Sequence, residues 1–517
     1  PATIPAAVPA MRPAGLGLKA GLVLMAFTLV LAFGFQGTRS LWEPDEGRYA
    51  ECAREMLVTG DFLTPRLGFE PHFTKPPLTY WSIAAPVALF GRNPWAARLY
   101  LSLAYLATVL LVAALGARLW NRATGLLAGV IYATSLLPFI GASIATPDTL
   151  LVLWEVLALY AFWRGWTAED DRDRFAWPVV TGLAFGLAFL TKGPPGLLFL
   201  PAMLGFRASP AGRRAGAAPL LNVTGAFLFL VVGGAWYLAV ILRNKGLLPY
   251  FLADEVIGRL AGKHHRNAQW YGALVVYVPS LLLGSFPWTF LWPAMWRHLD
   301  PASRGRGPSL WRARPKALLL ALLVGIPLVV FTVSRSRLPL YVLPLFAPLA
   351  LAAARAAALR FGASFEGLSA RFDRTARHRW APRLAAWTVA LLGLRVAAAY
   401  WPNPQDDLAA LRRLALPKVE ELVFINAPPR YGMAFYAGLD VEATGWHGEA
   451  AGSREDVEDE IEEVRQGNSH VFFLSPGEEG RFRKVMDRAG VQARERIELG
   501  HLVAYVVTPP DPSTPTP

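Results

Sequence analysis

The sequence predicts a mainly α-helical, polytopic membrane protein that closes with a small α/β domain. Three observations carry this expectation. Of 517 residues, 54% are hydrophobic and only 17% charged, with a mean hydropathy of +0.33, whereas a soluble chain carries about a quarter charged residues. The apolar residues gather into about eleven runs of the kind that cross a bilayer, which takes roughly 20 mostly apolar residues. After about residue 402 the pattern changes to short apolar strands alternating with helical segments.

The expected spans are approximately 17–36, 95–117, 124–143, 148–164, 177–191, 194–206, 218–242, 270–296, 316–333, 338–358 and 382–400. Residues 1–16 are rich in Pro and Ala and are expected to be disordered. Arg12 and Lys19 precede an apolar run, as in a signal peptide, but no small-residue cleavage pattern follows, so a retained first helix is expected. Residues 37–94 form a first outer loop. Within it Tyr80–Phe90 is apolar but too short to cross, and is read as an interfacial helix. The fifth and sixth spans are short, joined by Lys192-Gly193-Pro194-Pro195, and are expected to be tilted or partly re-entrant.

Charge placement orients the chain. One set of loops holds Arg118/Arg122, Arg164/Arg172/Arg174, Arg207/Arg213/Arg214, and the runs 297–316 and 355–383. Arg-rich loops stay cytoplasmic. The other set then shares the outer face: the loop after Trp42, Thr146-Pro147-Asp148, the Lys192 turn, the long loop 243–269, and Ser334 to Arg337. Counting Tyr80–Phe90 as a span would place every later basic loop outside. Topology therefore accounts for the net charge of +13, and nucleic acid is not an expected partner. The 18 Trp, 29 Phe and 15 Tyr suit a chain with two membrane interfaces. The single cysteine, Cys52, excludes an internal disulfide.

An outer-face α/β domain is expected over 401–508, with a Pro/Thr-rich, disordered tail at 509–517. Glu421 to Asn426, His470 to Ser475 and Leu502 to Val507 read as buried strands; Ser453 to Gln466 and Gly477 to Ala489 read as helices. The acidic run from Glu455 to Glu463 reads as a solvated helix face before it reads as a metal site, because consecutive carboxylates on a helix diverge.

The richest chemistry lies between Trp42 and Pro77. Ionisable groups collected beside membrane helices mark a function. Asp45 and Glu46 are adjacent carboxylates, followed by Arg48 and Tyr49, and Lys75 is held before Pro76 and Pro77. Asp45 reads as a helix N-cap or as a general base, and Asp148, which also opens a helix after a proline, carries the same two readings. Both are also possible ligands to a divalent cation. Lys75 reads as a lysine snorkelling at the boundary or as an anion binder. Arg48, Tyr49, Lys75, Arg337 and Tyr341 together form a set able to hold a phosphate. Lys192 snorkels, caps its helix carbonyls, or meets substrate. His264 and His265 in the long loop read first as surface histidines.

In order along the chain, Asp45-Glu46-Gly47-Arg48-Tyr49-Ala50-Glu51, Lys75-Pro76-Pro77, Ala145-Thr146-Pro147-Asp148, Thr191-Lys192-Gly193, Tyr250-Phe251 with Glu255 and Arg259, His265-Arg266, Pro287-Trp288 and Ser334 to Pro344 resemble glycosyltransferase family 39. That family includes bacterial aminoarabinose transferases and protein O-mannosyltransferases. The resemblance covers about residues 40–345, and the ordered series is more specific than any one piece. It implies a GT-C membrane fold and transfer of a sugar from a polyprenyl-phosphate donor to a lipid, glycan or protein acceptor at the outer face of a cell membrane.

The resemblance further implies Asp45 as the principal catalytic acidic residue and Asp148 as a second; Glu46, next to Asp45, is a third catalytic candidate. Arg48, Tyr49, Lys75, Arg337 and Tyr341 would surround the lipid phosphate. Lys192, Glu255, Arg259, His265 and Arg266 are substrate-binding candidates, and Asp45, Asp148 and His265 the candidate metal ligands. Thr74 stands where the aminoarabinose enzymes usually have Glu, and Val256 where they often have His. Both differences remove candidate metal ligands or acceptor contacts. No nucleotide is expected, since no Gly-rich phosphate loop opens a helix in a βαβ unit. Two other readings stay open: a polysaccharide ligase or polymerase using a lipid-linked donor, and a transporter or flippase.

Overall fold

The computed structural model describes residues 15–214, 216–253, 267–299, 315–360, 375–401, 407–414, 419–446 and 456–509. The chain is mainly helical, and its described part forms two compact units. One comprises 1–34, 101–143 and 147–394; the other comprises 35–100, 144–146 and 395–517. The expected boundaries at 37–94 and 401–508 both fall inside the second unit.

In chain order the first ten helices are α1 (Leu18–Phe33), α2 (Asp45–Thr59), α3 (Leu78–Phe90), α4 (Pro94–Leu119), α5 (Arg122–Thr134), α6 (Leu136–Gly141), α7 (Asp148–Trp166), α8 (Asp171–Lys192), α9 (Phe199–Ala208) and α10 (Val223–Arg243). Among the described residues, six helices are long and apolar enough to cross a membrane: Pro94–Leu119, Asp171–Lys192, Val223–Arg243, Pro315–Val333, Pro339–Arg360 and Trp380–Tyr400. Gly272–Gly284 and Trp288–Met295, bent by 94° at their junction, make a seventh if they form one span.

Of the remaining expected spans, 148–164 is the unbroken 19-residue α7, which carries Asp148, Glu155 and Arg164, and the others are shorter or interrupted. The run 17–36 holds the 16-residue α1, and 124–143 is broken at Ser135, whose extended backbone separates α5 from α6. The run 194–206 opens with a 3-10 turn over Pro194–Leu197 before α9. Tyr80–Phe90 lies within the 13-residue α3.

The helical unit has one continuous core, with Val109, Val112, Phe162, Phe185, Phe206 and Leu323 among its buried members. Small residues allow close helix approach, as membrane packing favours. A Cβ at Gly182 would collide with the Gly225 backbone, so α8 and α10 touch through glycines.

The second unit contains α2, the two-residue hairpin strands β1 (Arg66–Leu67) and β2 (Glu70–Pro71), α3 and a five-stranded sheet. The sheet strands are β3 (Glu421–Ile425), β4 (Asp440–Thr444), β5 (His470–Leu474), β6 (Ala493–Leu499) and β7 (Leu502–Val507), in the order β4-β3-β5-β7-β6. β3 runs parallel to β4 and β5; β7 pairs antiparallel with β5 and β6.

Alternation sends Val423, Ile425, Phe472 and Leu474 to one core layer and Leu422, Phe424, Val471 and Phe473 to the other. The first layer is covered by the helix Val457–Arg465, which contributes Val457, Ile461 and Val464. The helix Tyr431–Ala437 packs on α2. There the Leu41 amide donates to the Tyr436 hydroxyl at 2.7 Å, the Gly432 amide donates to Glu43 at 2.6 Å, and Arg54 reaches Asp440 at 3.5 Å.

Candidate active site

Asp45 is the first residue of α2, with Pro44 in the capping position and no side-chain cap bond. Its carboxylate instead accepts from Arg48 Nη2 at 2.5 Å, one helical turn on, and the two side chains are 40% and 33% exposed. Arg48 also donates from Nε to the Pro44 carbonyl at 3.2 Å. Burial opposes the Arg48 charge, but Asp45 outweighs it and raises the guanidinium above its ordinary value. Asp45 is therefore an accessible carboxylate with a fixed cation beside it.

Glu46 is placed quite differently from its neighbour, which corrects the expectation of a catalytic role. It is 1% exposed. One oxygen accepts from Arg39 at 2.6 Å, the Trp42 amide at 3.0 Å and Arg98 Nη2 at 3.0 Å. The other accepts from Arg98 Nε at 2.9 Å and the Ala145 amide at 2.8 Å. Burial works against the charged form, yet Arg39 and Arg98 prevail and hold the carboxyl down at about 2. A saturated, enclosed carboxylate neither takes a proton at neutral pH nor meets substrate; Glu46 clasps the loop 39–46 to α4 and to the segment before Asp148.

Tyr49 is buried against Tyr80, ring centroids 5.7 Å apart. Lys75 donates to the Thr74 carbonyl at 2.7 Å, and the Thr74 hydroxyl pairs with His72 Nε2 at 2.7 Å. Beneath these, Glu51 and Arg54 form a two-pronged ion pair at 2.7–3.0 Å. Burial still pushes the Glu51 carboxyl up to about 7. Glu55 accepts the Gly68 and Phe69 amides at 2.7 and 2.9 Å, which fixes the β1–β2 turn.

In the helical unit Asp148 opens α7 and Lys192 ends α8. Their side chains are 8% and 11% exposed, and Lys192 Nζ donates to Asp148 at 2.5 Å. The ammonium also lies 4.7 Å from the Tyr341 ring centroid, a favourable cation–π position. Lys192 thus neither snorkels nor caps. Arg337 is 5% exposed and spends its terminal nitrogens on backbone: Nη1 donates to the Asn267 and Gln269 carbonyls at 2.8 and 2.9 Å, Nη2 to Thr332 at 2.9 Å. Glu255, Arg259, His265 and Arg266 lie outside the described residues.

The sequence reading misses Arg39, Arg98 and Glu155. Arg98 and Glu155 each carried a signal, a charge inside an expected span. Glu155, two turns along α7 from Asp148, is wholly buried with no hydrogen-bond partner on either oxygen, and its charge interacts with Lys192 and Asp148.

Residues 74–237 match the family described as dolichyl-phosphate-mannose-protein mannosyltransferase. Over 338 residues the chain is 34% identical to the undecaprenyl phosphate-alpha-4-amino-4-deoxy-L-arabinose arabinosyl transferase of Pectobacterium carotovorum, covering 65% of this chain and 58% of that one. The enzyme of the same name from Pseudomonas aeruginosa is 33% identical, with 62% and 58% covered. The chain thus spans less than two thirds of the length of these relatives.

Among solved structures, ArnT from Cupriavidus metallidurans bound to undecaprenyl phosphate superposes with a TM-score of 0.72 at 22% identity, covering 94% of this chain and 97% of ArnT. The oligosaccharyltransferase AglB from Archaeoglobus fulgidus superposes at 0.57 and 13% identity, covering 94% and 74%. At such identities the likeness shows the fold. The matched segment and the shared fold agree: the chain is a multi-pass membrane protein of GT-C fold, similar over residues 74–237 to the dolichyl-phosphate-mannose-protein mannosyltransferase family.

Proposed function

We propose that this chain is an integral-membrane glycosyltransferase that moves a sugar, a pentose or hexose, from a polyprenyl-phosphate donor to an acceptor at the outer face of a bacterial inner membrane. The observation that carries the reading is the contrast within Asp45-Glu46. One carboxylate is buried and saturated, and the other is half-exposed beside a fixed guanidinium. The relatives' names supply the donor class, and the Arg-rich loops supply the orientation.

In this reading the bond from the sugar's anomeric carbon to the donor phosphate breaks as the acceptor oxygen attacks from the opposite face, inverting that centre. The electron pair leaves with the lipid phosphate. Arg48 and Lys75 meet the growing negative charge; donors fixed in advance contribute the most when charge develops. Asp45 takes the proton of an acceptor hydroxyl. For a phosphate acceptor, already ionised, Asp45 instead stabilises positive charge at the sugar carbon. Asp148 and Lys192 orient substrate as a pair. Arg337 and Glu46 hold the chain in place.

A divalent ion does not fit Asp45 and Asp148 as they stand. Asp45 and Asp148 each already hold a protein cation at 2.5 Å, so no step is assigned to a metal here. The test is release of polyprenyl phosphate by the purified chain in detergent, using a panel of polyprenyl-phosphate sugars with membrane extract as acceptor. Release by the wild type and its loss in Asp45→Asn are expected. No release from any donor would overturn the assignment. A ladder of products in place of one added sugar would favour the polymerase.

A further inference from the structure

In the C-terminal α/β domain, His470 and Glu421 are the first residues of β5 and β3 and stand opposite each other in register. Both continue the side-chain row of Val423 and Phe472, the row covered by the helix Val457–Arg465. That helix presents Glu460 and Glu463, three residues apart and therefore on one face. The result is one imidazole among three carboxylates. His470 Nδ1 lies 3.3 Å from a Glu460 oxygen, and Nε2 lies 3.8 Å from Glu463. Ligand atoms of Glu421, Glu463 and His470 all lie within 4.8 Å of one another.

Two features separate this cluster from an ordinary acidic patch. His470 and Glu460 are each 1% exposed, and both Glu460 oxygens and His470 Nδ1 lack a hydrogen-bond partner, the 3.3 Å contact being misaligned for one. A buried carboxylate without donors is costly. Even with the imidazole protonated, three carboxylates leave the group two charges negative. The cluster is short of positive charge.

The geometry points to a divalent-cation site formed by His470, Glu421 and Glu463, with Glu460 beside the imidazole Nδ1 as the outer carboxylate that orients the ring, in the C-terminal domain and separate in sequence from Asp45 and Asp148. One imidazole with carboxylates suits zinc. Ligand distances of roughly 2.0–2.2 Å require only side-chain adjustment around the present positions. The Asn468 amide, 3.4 Å from Glu463, supplies an outer hydrogen bond that orients a ligand. A bound ion would tie β3, β5 and their covering helix together and neutralise the buried charge.

The test uses the full chain in detergent, stripped with chelator, freed of it, and titrated with zinc chloride by calorimetry, with metal content measured independently. One zinc is expected in the wild type, and also in the Asp45→Asn/Asp148→Asn double variant, which removes the other candidate carboxylates. Glu463→Gln, at a half-exposed position suited to folding, and His470→Asn should each weaken binding by about tenfold or more. X-ray absorption at the zinc edge should show one imidazole with oxygen ligands. No zinc in the wild type, wild-type affinity in Glu463→Gln, or loss of the ion in the double variant would each overturn the site. None of these readouts depends on turnover, so the site stands or falls apart from the proposed transferase activity.

Discussion

Lys192 Nζ stands 2.5 Å from an oxygen of Asp148, joining the end of α8 to the start of α7 with both side chains almost wholly buried. The nearby Glu155 carboxylate has no hydrogen bond of its own. Removing one member of a buried pair strands a charge and costs about 3–5 kcal/mol, while removing both costs much less. Lys192→Met should therefore lower the melting temperature in detergent more than Lys192→Met/Asp148→Asn does. Equal melting of the two variants would mean that the pair is not coupled.

Adjacent residues should give opposite signatures. Asp45→Asn should abolish release of polyprenyl phosphate and leave thermal stability near wild type, because Asp45 is half-exposed and its ion pair with Arg48 is partly solvated. Glu46→Gln should do the reverse: lower stability by several kcal/mol, of order the ~3 kcal/mol that a carboxyl held near 2 contributes, while each folded molecule still turns over. The depressed carboxyl fixes the pH sign. Its stabilisation is complete above the unfolded value of 4.5 and is lost as pH falls toward 2. Melting followed from pH 7 to 3 should show the wild type losing an advantage that Glu46→Gln lacks.

The membrane character and the C-terminal strands were legible because they rest on long apolar runs. Glu421–Ile425, His470–Leu474 and Leu502–Val507 are almost continuously buried, and such runs read clearly. The edge strands Asp440–Thr444 and Ala493–Leu499 escaped because charged residues blunt them, as sheet edges require. Asp45 and Asp148 were legible as helix openers, but both lack cap bonds and pair with cations. Glu46 could not be told from Asp45 by type. The difference comes from Arg39 together with Arg98, 52 residues away, and the burial that Arg98 completes is not written in any local pattern.

Lys75 donates to the carbonyl of its own neighbour, Thr74, at 2.7 Å. Lys75 is partly exposed in a loop, where substitutions are usually mild, so Lys75→Ala should melt close to wild type. Losing a charge-assisted hydrogen bond of about 1.5–3 kcal/mol should reduce donor turnover by roughly ten- to a hundredfold, with partial retention in Lys75→Arg. Near-normal turnover in an intact Lys75→Ala protein would remove Lys75 from the phosphate site.

Arg337 makes the opposite prediction. Its guanidinium gathers the carbonyls of Asn267, Gln269 and Thr332, and Asn267 returns a bond from its amide to the Arg337 carbonyl at 2.9 Å. A planar fork reaches three acceptors that a lysine ammonium cannot reach together. Arg337→Lys should thus cost about 1–3 kcal/mol of stability, read as a lower melting temperature. The donor KM should stay within a few-fold of wild type, because both terminal nitrogens already serve the backbone. A large rise in KM without loss of stability would return Arg337 to the lipid phosphate and show that these carbonyl bonds open when donor binds.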